Sequence, residues 1–209
     1  MARSALLEDC CDHRSGSALD YQGLMAAARY PDDHRTLALA GVIAQGLVLG
    51  ERPLLRGLSD SAFKAMMAAC FPGVALENGG AGNGPVAALD EYDDLITLLL
   101  IHRGGDSEAI VWLCHAIATA SLRNNHLWQD LGLPERKVLS QLMTKNFPTL
   151  AALNVGDMKW KKFFYRQLCE QAEVMICKSP NCAVCDDHTV CFGPEEGASL
   201  VALSNLHRP

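Results

Sequence analysis

The sequence lacks the features that mark a membrane-spanning or a nucleic-acid-binding protein. No apolar run reaches the about 20 residues that a membrane span needs, and the longest, 37–50 and 109–122, are interrupted by Gln45 and His115. The net charge of −6 excludes a broadly basic surface and so disfavours nucleic-acid binding. A P-loop, a nucleophile elbow and an HExxH motif are all absent, so we do not predict an enzyme.

Aromatic residues are also scarce, at 6%, whereas hydrophobic residues make up 49% and charged residues 20% of the 209 positions. This balance rules out a wholly disordered chain and gives one domain with room for a tail. Abundant Ala and Leu favour helices. The opening MARSALLEDCCDHR carries acids and cysteines where a signal peptide has its apolar run, so we expect a cytoplasmic protein.

Hydrophobic periodicity of about 3.6 residues predicts an all-α fold, a helical bundle. The predicted segments are a mobile N-terminal segment at 1–18, a helical domain at 19–176 with a Gly-rich linker at 77–85, a cysteine cluster loop at 177–193 and a C-terminal tail at 194–209. A weak internal repeat pairs Phe71-Pro72 with Phe147-Pro148, so a duplicated helical hairpin is one form that this bundle can take.

Four of the nine cysteines form a C-x4-C-x2-C-x5-C pattern at Cys177, Cys182, Cys185 and Cys191. In a reducing compartment, short turns between thiols favour one inorganic centre over two disulfides, although redox disulfide chemistry stays open. Structural zinc usually uses two well-separated cysteine pairs, whereas the C-x4-C-x2-C opening has the spacing of plant-type ferredoxins. The spacing therefore favours an iron–sulfur cluster and leaves a zinc site as the alternative.

The C-terminal part of the chain resembles the NifQ family of nitrogen-fixation proteins. The matching segments are HLWQDLGL at 126–133, NFPTLAALN at 146–154, GDMKWKKFFYRQLC at 156–169 and the cysteine loop closing in CFGPEE at 191–196. DEYDDLITLLLIHR, further upstream, is also similar, while the first 85 residues resemble the family only loosely.

This resemblance implies a role as a molybdenum carrier. An iron–sulfur cluster held by the four cysteines would acquire molybdenum and donate it for biosynthesis of the iron–molybdenum cofactor (FeMo-cofactor) of nitrogenase. The implied partners are the nitrogenase iron protein and the cofactor scaffold complex, and molybdate is the implied source of the metal. A helical interaction module with a structural zinc site is the rival interpretation, and an electron carrier is a third.

Positive charge is concentrated on the helix that precedes the cysteines, where Lys159, Lys161, Lys162 and Arg166 lie. These side chains either attract an oxyanion and balance the charge of a cluster or form an ordinary solvated face. His188, inside the loop, is either an accessory ligand or a solvated residue.

The remaining candidates are expected to be structural. Cys70 and Cys114 fall on apolar helix faces, and His115 and His126 are expected to be satisfied structural residues. Cys169 either packs on its helix or serves as a reserve ligand, and Cys10 and Cys11 resemble half of a metal site. Three tryptophans are predicted to anchor the core: Trp112, Trp128 and Trp160.

Overall fold

The computed structural model describes residues 19–80, 86–173, 185 and 188–198, and every regular element in these ranges is an α-helix. In chain order they are α1 (Tyr21–Ala26), α2 (His34–Leu49), α3 (Asp60–Cys70), α4 (Val86–Ile101), α5 (Glu108–Ser121), α6 (Leu127–Asp130), α7 (Arg136–Asn146), α8 (Pro148–Leu153), α9 (Trp160–Gln171) and α10 (His188–Phe192). This confirms the all-α class. The predicted mobile segment at 1–18, together with Cys10 and Cys11, lies outside the described residues.

Short polar side chains begin two of the long helices, α2 and α3. The Asp33 carboxylate accepts from the backbone N–H of Arg35 at 2.9 Å, and the Ser59 hydroxyl accepts from that of Ala62 at 3.2 Å. Each contact satisfies a backbone donor that has no partner within its own helix. Gly50 ends α2 in the left-handed conformation, with φ of 66°, which costs glycine little.

Two helices end in the same way at the Phe-Pro pairs of the predicted repeat. Phe71 caps α3 with φ and ψ of −131° and 63°, and Phe147 caps α7 with −136° and 57°. Both phenylalanine side chains are fully buried. A proline cannot continue the preceding hydrogen-bond pattern, so each pair turns the chain sharply. The likeness is local, and the duplication of a whole hairpin stays a prediction.

The core is built around α5, which packs against both α2 and α4, while α9 packs against α4 and α6 packs against α5 and α7. The three tryptophans are buried, as predicted. Cys114 is fully buried in α5, and Cys70 is half-buried at the end of α3. Among the described residues, no helix combines the length and the apolar character needed to cross a membrane.

One residue of the predicted Gly-rich linker, Asn78, is buried in the helical body. Asn78 is 1% exposed, and its side chain accepts from Leu55 N–H at 2.9 Å and donates to the carbonyls of Leu55 and Leu58 at 3.0 and 2.9 Å. An amide that satisfies backbone groups in this way fixes the 54–58 segment. Residues 81–85 lie outside the described part, so the linker as a whole stays a prediction.

Gly41 allows α2 to contact the turn after α6. A Cβ atom at this position would lie 2.7 Å from the Gly132 Cα and the Leu131 carbonyl carbon, which is too close for any side chain. Both neighbouring atoms are backbone and cannot move aside as a flexible side chain would. The position of α6 against α2 therefore depends on the missing side chain.

We expect Gly41→Ala to lower the free energy of unfolding by about 1–3 kcal/mol, because the added methyl forces two backbone segments apart. Denaturant unfolding followed by circular dichroism measures the change. Gly23→Ala in α1 is the control, since its Cβ would meet only side-chain atoms, of Leu19 at 3.3 Å and of Asp20 at 3.5 Å, and alanine favours helix. Equal stability of Gly41→Ala and the parent would contradict the close-contact explanation.

Candidate metal centre and its platform

Two cysteines of the four-cysteine motif, Cys185 and Cys191, lie in the described residues. Both side chains are half-buried, and neither forms a disulfide. The carbonyl of Cys185 accepts from the N–H of His188 at 3.0 Å, and α10, which begins at His188, carries Cys191. Cys177 and Cys182 lie outside the described part of the chain.

Partly exposed thiols that form no disulfide are the donors that both iron–sulfur clusters and zinc take. Cys185 and Cys191 therefore fit either kind of centre. Within the described residues, no three His, Cys, Asp or Glu side chains are grouped to hold a metal ion. The four-cysteine site consequently depends on Cys177 and Cys182 and stays a prediction.

The segment 188–198 is anchored to the helical body at several points. The backbone N–H of Lys159 donates to the Cys191 carbonyl at 2.8 Å. The Gln129 side-chain amide in α6 donates to the carbonyls of Glu196 and Ala198, each at 3.3 Å. Phe192 lies against Gly156, where a Cβ would meet its ring at 3.1 Å. The residues just before α9 and those of α6 thus form a platform for this segment.

A buried carboxylate in the segment faces two basic side chains of the helical body. The Glu195 side chain is only 3% exposed, with one oxygen 3.5 Å from Arg136 Nε and the other 3.6 Å from His126 Nδ1. Arg136 also holds Asp157 through Nη1–Oδ2 and Nη2–Oδ1 contacts of 2.5 and 2.9 Å. Because a buried charge without a counter-charge is costly, Glu195 holds the segment against Arg136.

Beneath the platform lies a second buried ion pair, between Asp130 of α6 and Lys161 of α9. The Lys161 ammonium donates to Asp130 Oδ2 and to the Arg123 carbonyl, both at 2.6 Å. Asp130 is 1% exposed and also accepts from the backbone and side-chain N–H groups of Asn125, each at 3.0 Å. Burial lowers the pKa of Lys161, while the Asp130 carboxylate opposes this shift.

Arg123 extends this network to α2. Its guanidinium bonds Glu51 at 2.7 Å, the Val42 carbonyl at 3.2 Å and the Asp130 carbonyl at 3.1 Å, and its side chain is 7% exposed. A planar guanidinium with several donors suits such a junction. One arginine thereby ties α2 to α6 by donating hydrogen bonds to a backbone carbonyl of each helix.

A groove of about 580 Å³ opens between the platform and the segment. Three short stretches line it, and the lining residues are Asn124, Asn125, His126, Leu127, Gln129, Lys159, Lys161, Lys162, Val190, Glu195 and Glu196. Two of the predicted accessory residues, Lys159 and Lys162, therefore lie together at one surface. Arg166 is not part of this lining and instead pairs with Glu170 at 2.7 Å.

The other predicted residues lie apart from the groove. His188 is exposed and stacks on Phe192 with ring centroids 4.6 Å apart. Burial raises the pKa of the Cys114 thiol to about 12 and lowers that of His115, which contacts the Tyr92 hydroxyl at 2.5 Å. Cys169 is half-buried on α9. Cys114 and His115 are structural, as predicted.

Sequence reasoning missed the residues that anchor the segment. Glu195 and Arg136 were not identified as partners, and His126 was assigned only a structural role. The only signal in the sequence was that Glu195 belongs to the CFGPEE stretch and His126 to HLWQDLGL. Both stretches carried the family resemblance without showing that they contact each other.

The fold and the cysteine segment together define an all-helical protein with a candidate metal-binding end. The model of the NifQ family matches residues 38–193, and the chain therefore belongs to the NifQ family. The match begins in α2, well upstream of the region where the sequence resemblance is strong, and it includes all four cysteines of the motif.

Several curated proteins are similar to this chain. It is 39% identical to Protein NifQ of Rhodobacter capsulatus over 76% of this chain and 89% of that protein. It is 49% identical to Protein NifQ of Azotobacter vinelandii over 51% of this chain and 54% of that relative. It is 51% identical to Protein NifQ of Klebsiella pneumoniae over 38% of this chain and 48% of that relative. The chain thus spans about half the length of two of these relatives. No solved structure matches it.

We expect Glu195→Ala to release the segment from the platform, because Arg136 loses a buried counter-charge and the carboxylate no longer holds 188–198 in place. Hydrogen exchange at 189–197 should speed up roughly tenfold or more, as loss of a buried charge contact implies. Glu196→Ala removes the same charge from an exposed neighbour and serves as the control. Unchanged exchange in Glu195→Ala would refute the anchoring role.

Asp130→Asn should destabilise the fold by about 3–5 kcal/mol, because Lys161 is left buried without its counter-charge. Adding Lys161→Met removes the stranded charge, so the double variant should be more stable than Asp130→Asn alone. Urea unfolding of the parent, both single variants and the double variant gives the interaction energy. Additive effects of the two changes would show that the pair is not coupled.

Proposed function

We propose that this protein serves nitrogen fixation as a metal carrier and not as an enzyme. In this proposal Cys177, Cys182, Cys185 and Cys191 hold an iron–sulfur cluster that takes up molybdenum and donates it for FeMo-cofactor biosynthesis. The nitrogenase iron protein and the cofactor scaffold complex are the proposed recipients, and the proposed site of action is the cytoplasm.

Membership of the NifQ family is the observation that carries the proposal. The family match covers residues 38–193 and ends two residues after Cys191, so it includes the entire motif. The role in nitrogen fixation rests on this membership. The cluster rests in addition on the spacing of the thiols, which favours iron–sulfur over zinc.

The surroundings of the described cysteines support a site that exchanges its cargo. Cys185 and Cys191 are half-buried, so a centre held there stays within reach of another protein. The platform fixes the backbone at Cys191 through Lys159 and leaves its side chain partly exposed. When bound, the cluster supplies the sulfide-rich environment that molybdenum prefers, while the chain supplies thiolates at fixed positions.

Elemental analysis of anaerobically purified protein tests the kind of centre. We expect iron and sulfide, a fraction of molybdenum and a brown colour that bleaches in air. Cys185→Ala should lower the iron content several-fold, whereas Cys70→Ala, which changes a half-buried cysteine on α3, should not. One zinc per chain and no iron after reconstitution would replace the carrier with a structural zinc module.

Transfer is tested separately with the molybdenum-loaded protein. We expect molybdenum to pass to the nitrogenase iron protein or to the scaffold complex when either is mixed with it and then separated. Reversible one-electron cycling without molybdenum uptake would instead identify an electron carrier.

A further inference from the structure

We propose that the groove between the platform and the cysteine segment binds a tetrahedral oxyanion, such as molybdate, sulfate or phosphate. The binding groups are the ammonium groups of Lys159 and Lys162, at the beginning of α9. The existence of this site does not depend on the cluster. Its assignment to molybdate, as the form in which the cargo arrives, rests on the proposed function.

Two of the three lysines that line the groove are available for a ligand. Lys161 is committed to the buried Asp130 carboxylate at 2.6 Å. Lys162 is exposed and has no ion pair within the described part of the chain. The Lys159 ammonium contacts the Thr189 carbonyl at 3.5 Å, and this long contact leaves other N–H donors of the ammonium for a ligand. Charged donors of this kind form the stronger hydrogen bonds to oxyanions.

Two carboxylates face these lysines across the groove, and they differ in their surroundings. Glu195 lies 3.5 Å from Arg136, so its charge is partly offset, although Arg136 also pairs with Asp157. Glu196 is exposed, and its side chain forms no ion pair among the residues that the structure describes. Glu196 therefore opposes an incoming anion, and the affinity of the groove depends on the balance between this residue and the two lysines.

The direction of α9 adds to the attraction. Lys159 caps this helix without a side-chain hydrogen bond, and the first turn of α9 carries Lys161 and Lys162. The N-terminal end of a helix bears partial positive charge and unpaired N–H groups, both of which favour an anion. This effect reinforces the ammonium groups and would not be sufficient without them.

Lys159 joins the groove to the cysteine segment. Its side chain lines the groove, while its backbone N–H holds the carbonyl of Cys191 at 2.8 Å. An oxyanion bound by Lys159 is therefore kept next to the segment that carries Cys191. A built-in anion site here raises the local concentration of cargo beside the thiols.

Equilibrium dialysis of the full-length, metal-free protein against molybdate, sulfate and phosphate tests the site. Replacing Lys159 and Lys162 together by Gln should weaken binding roughly tenfold or more, because two charged donors are lost. Replacing Lys64 and Lys145 by Gln removes the same charge from exposed positions outside the groove and should have little effect. Glu196→Gln should strengthen binding.

The possible results separate this inference from the proposed function. Binding that survives replacement of all four motif cysteines by Ala supports the groove, and preference for molybdate over sulfate and phosphate supports its assignment to the cargo. Binding that vanishes with the cysteines but survives the lysine changes overturns the groove and leaves the cluster proposal intact. Equal weakening by both lysine pairs, or no binding by the parent, also overturns it. An oxyanion site in a protein that takes up only zinc would support the groove while the carrier proposal fails.

Discussion

The buried Asp130–Lys161 pair is the contact on which the rest of the candidate site depends. Asp130 accepts from Lys161 and from two N–H groups of Asn125, so a carboxylate with almost no solvent contact is well compensated. An ion pair of this kind adds little net stability over apolar packing, but it penalises every arrangement that separates the partners. Asp130 and Lys161 thus fix α6 relative to α9, and the cysteine segment docks on α6 and on the residues that lead into α9.

The helices are predictable from the sequence because their signals are local. Asp33 and Ser59, for example, cap their helices through bonds to residues two and three positions further along the chain. The anchoring of the segment is not predictable in this way. Nothing local distinguishes Glu195 from Glu196, yet one is buried and the other exposed, because only Glu195 reaches Arg136. The cysteine spacing was visible in the sequence, whereas its platform is formed by contacts distant in the chain.

The upstream half of the chain illustrates the same limit. Sequence resemblance was strong only after residue 126, while the family match begins at residue 38. The structure gives a physical reason, since α2 supplies Gly41, which admits the turn at Leu131, and Val42, whose carbonyl holds Arg123. The support of the platform therefore includes residues of α2, where the family match begins. Asn78 is a similar case, because an asparagine in a Gly-rich stretch carries no local sign of burial.

A metal carrier has to satisfy two opposing demands, firm placement of its ligands and easy loss of its cargo. Here the backbone of the segment is held firmly by the platform, while the cysteine side chain stays accessible. Hydrogen bonds from Lys159 and Gln129 fix the main chain around Cys191 and Glu196, and the buried Glu195 carboxylate resists detachment. The Cys191 thiol, by contrast, stays half-buried. Under the proposed carrier function, cargo would leave through the exposed side without breaking the buried ion pairs, so its release would not cost the stability of the fold.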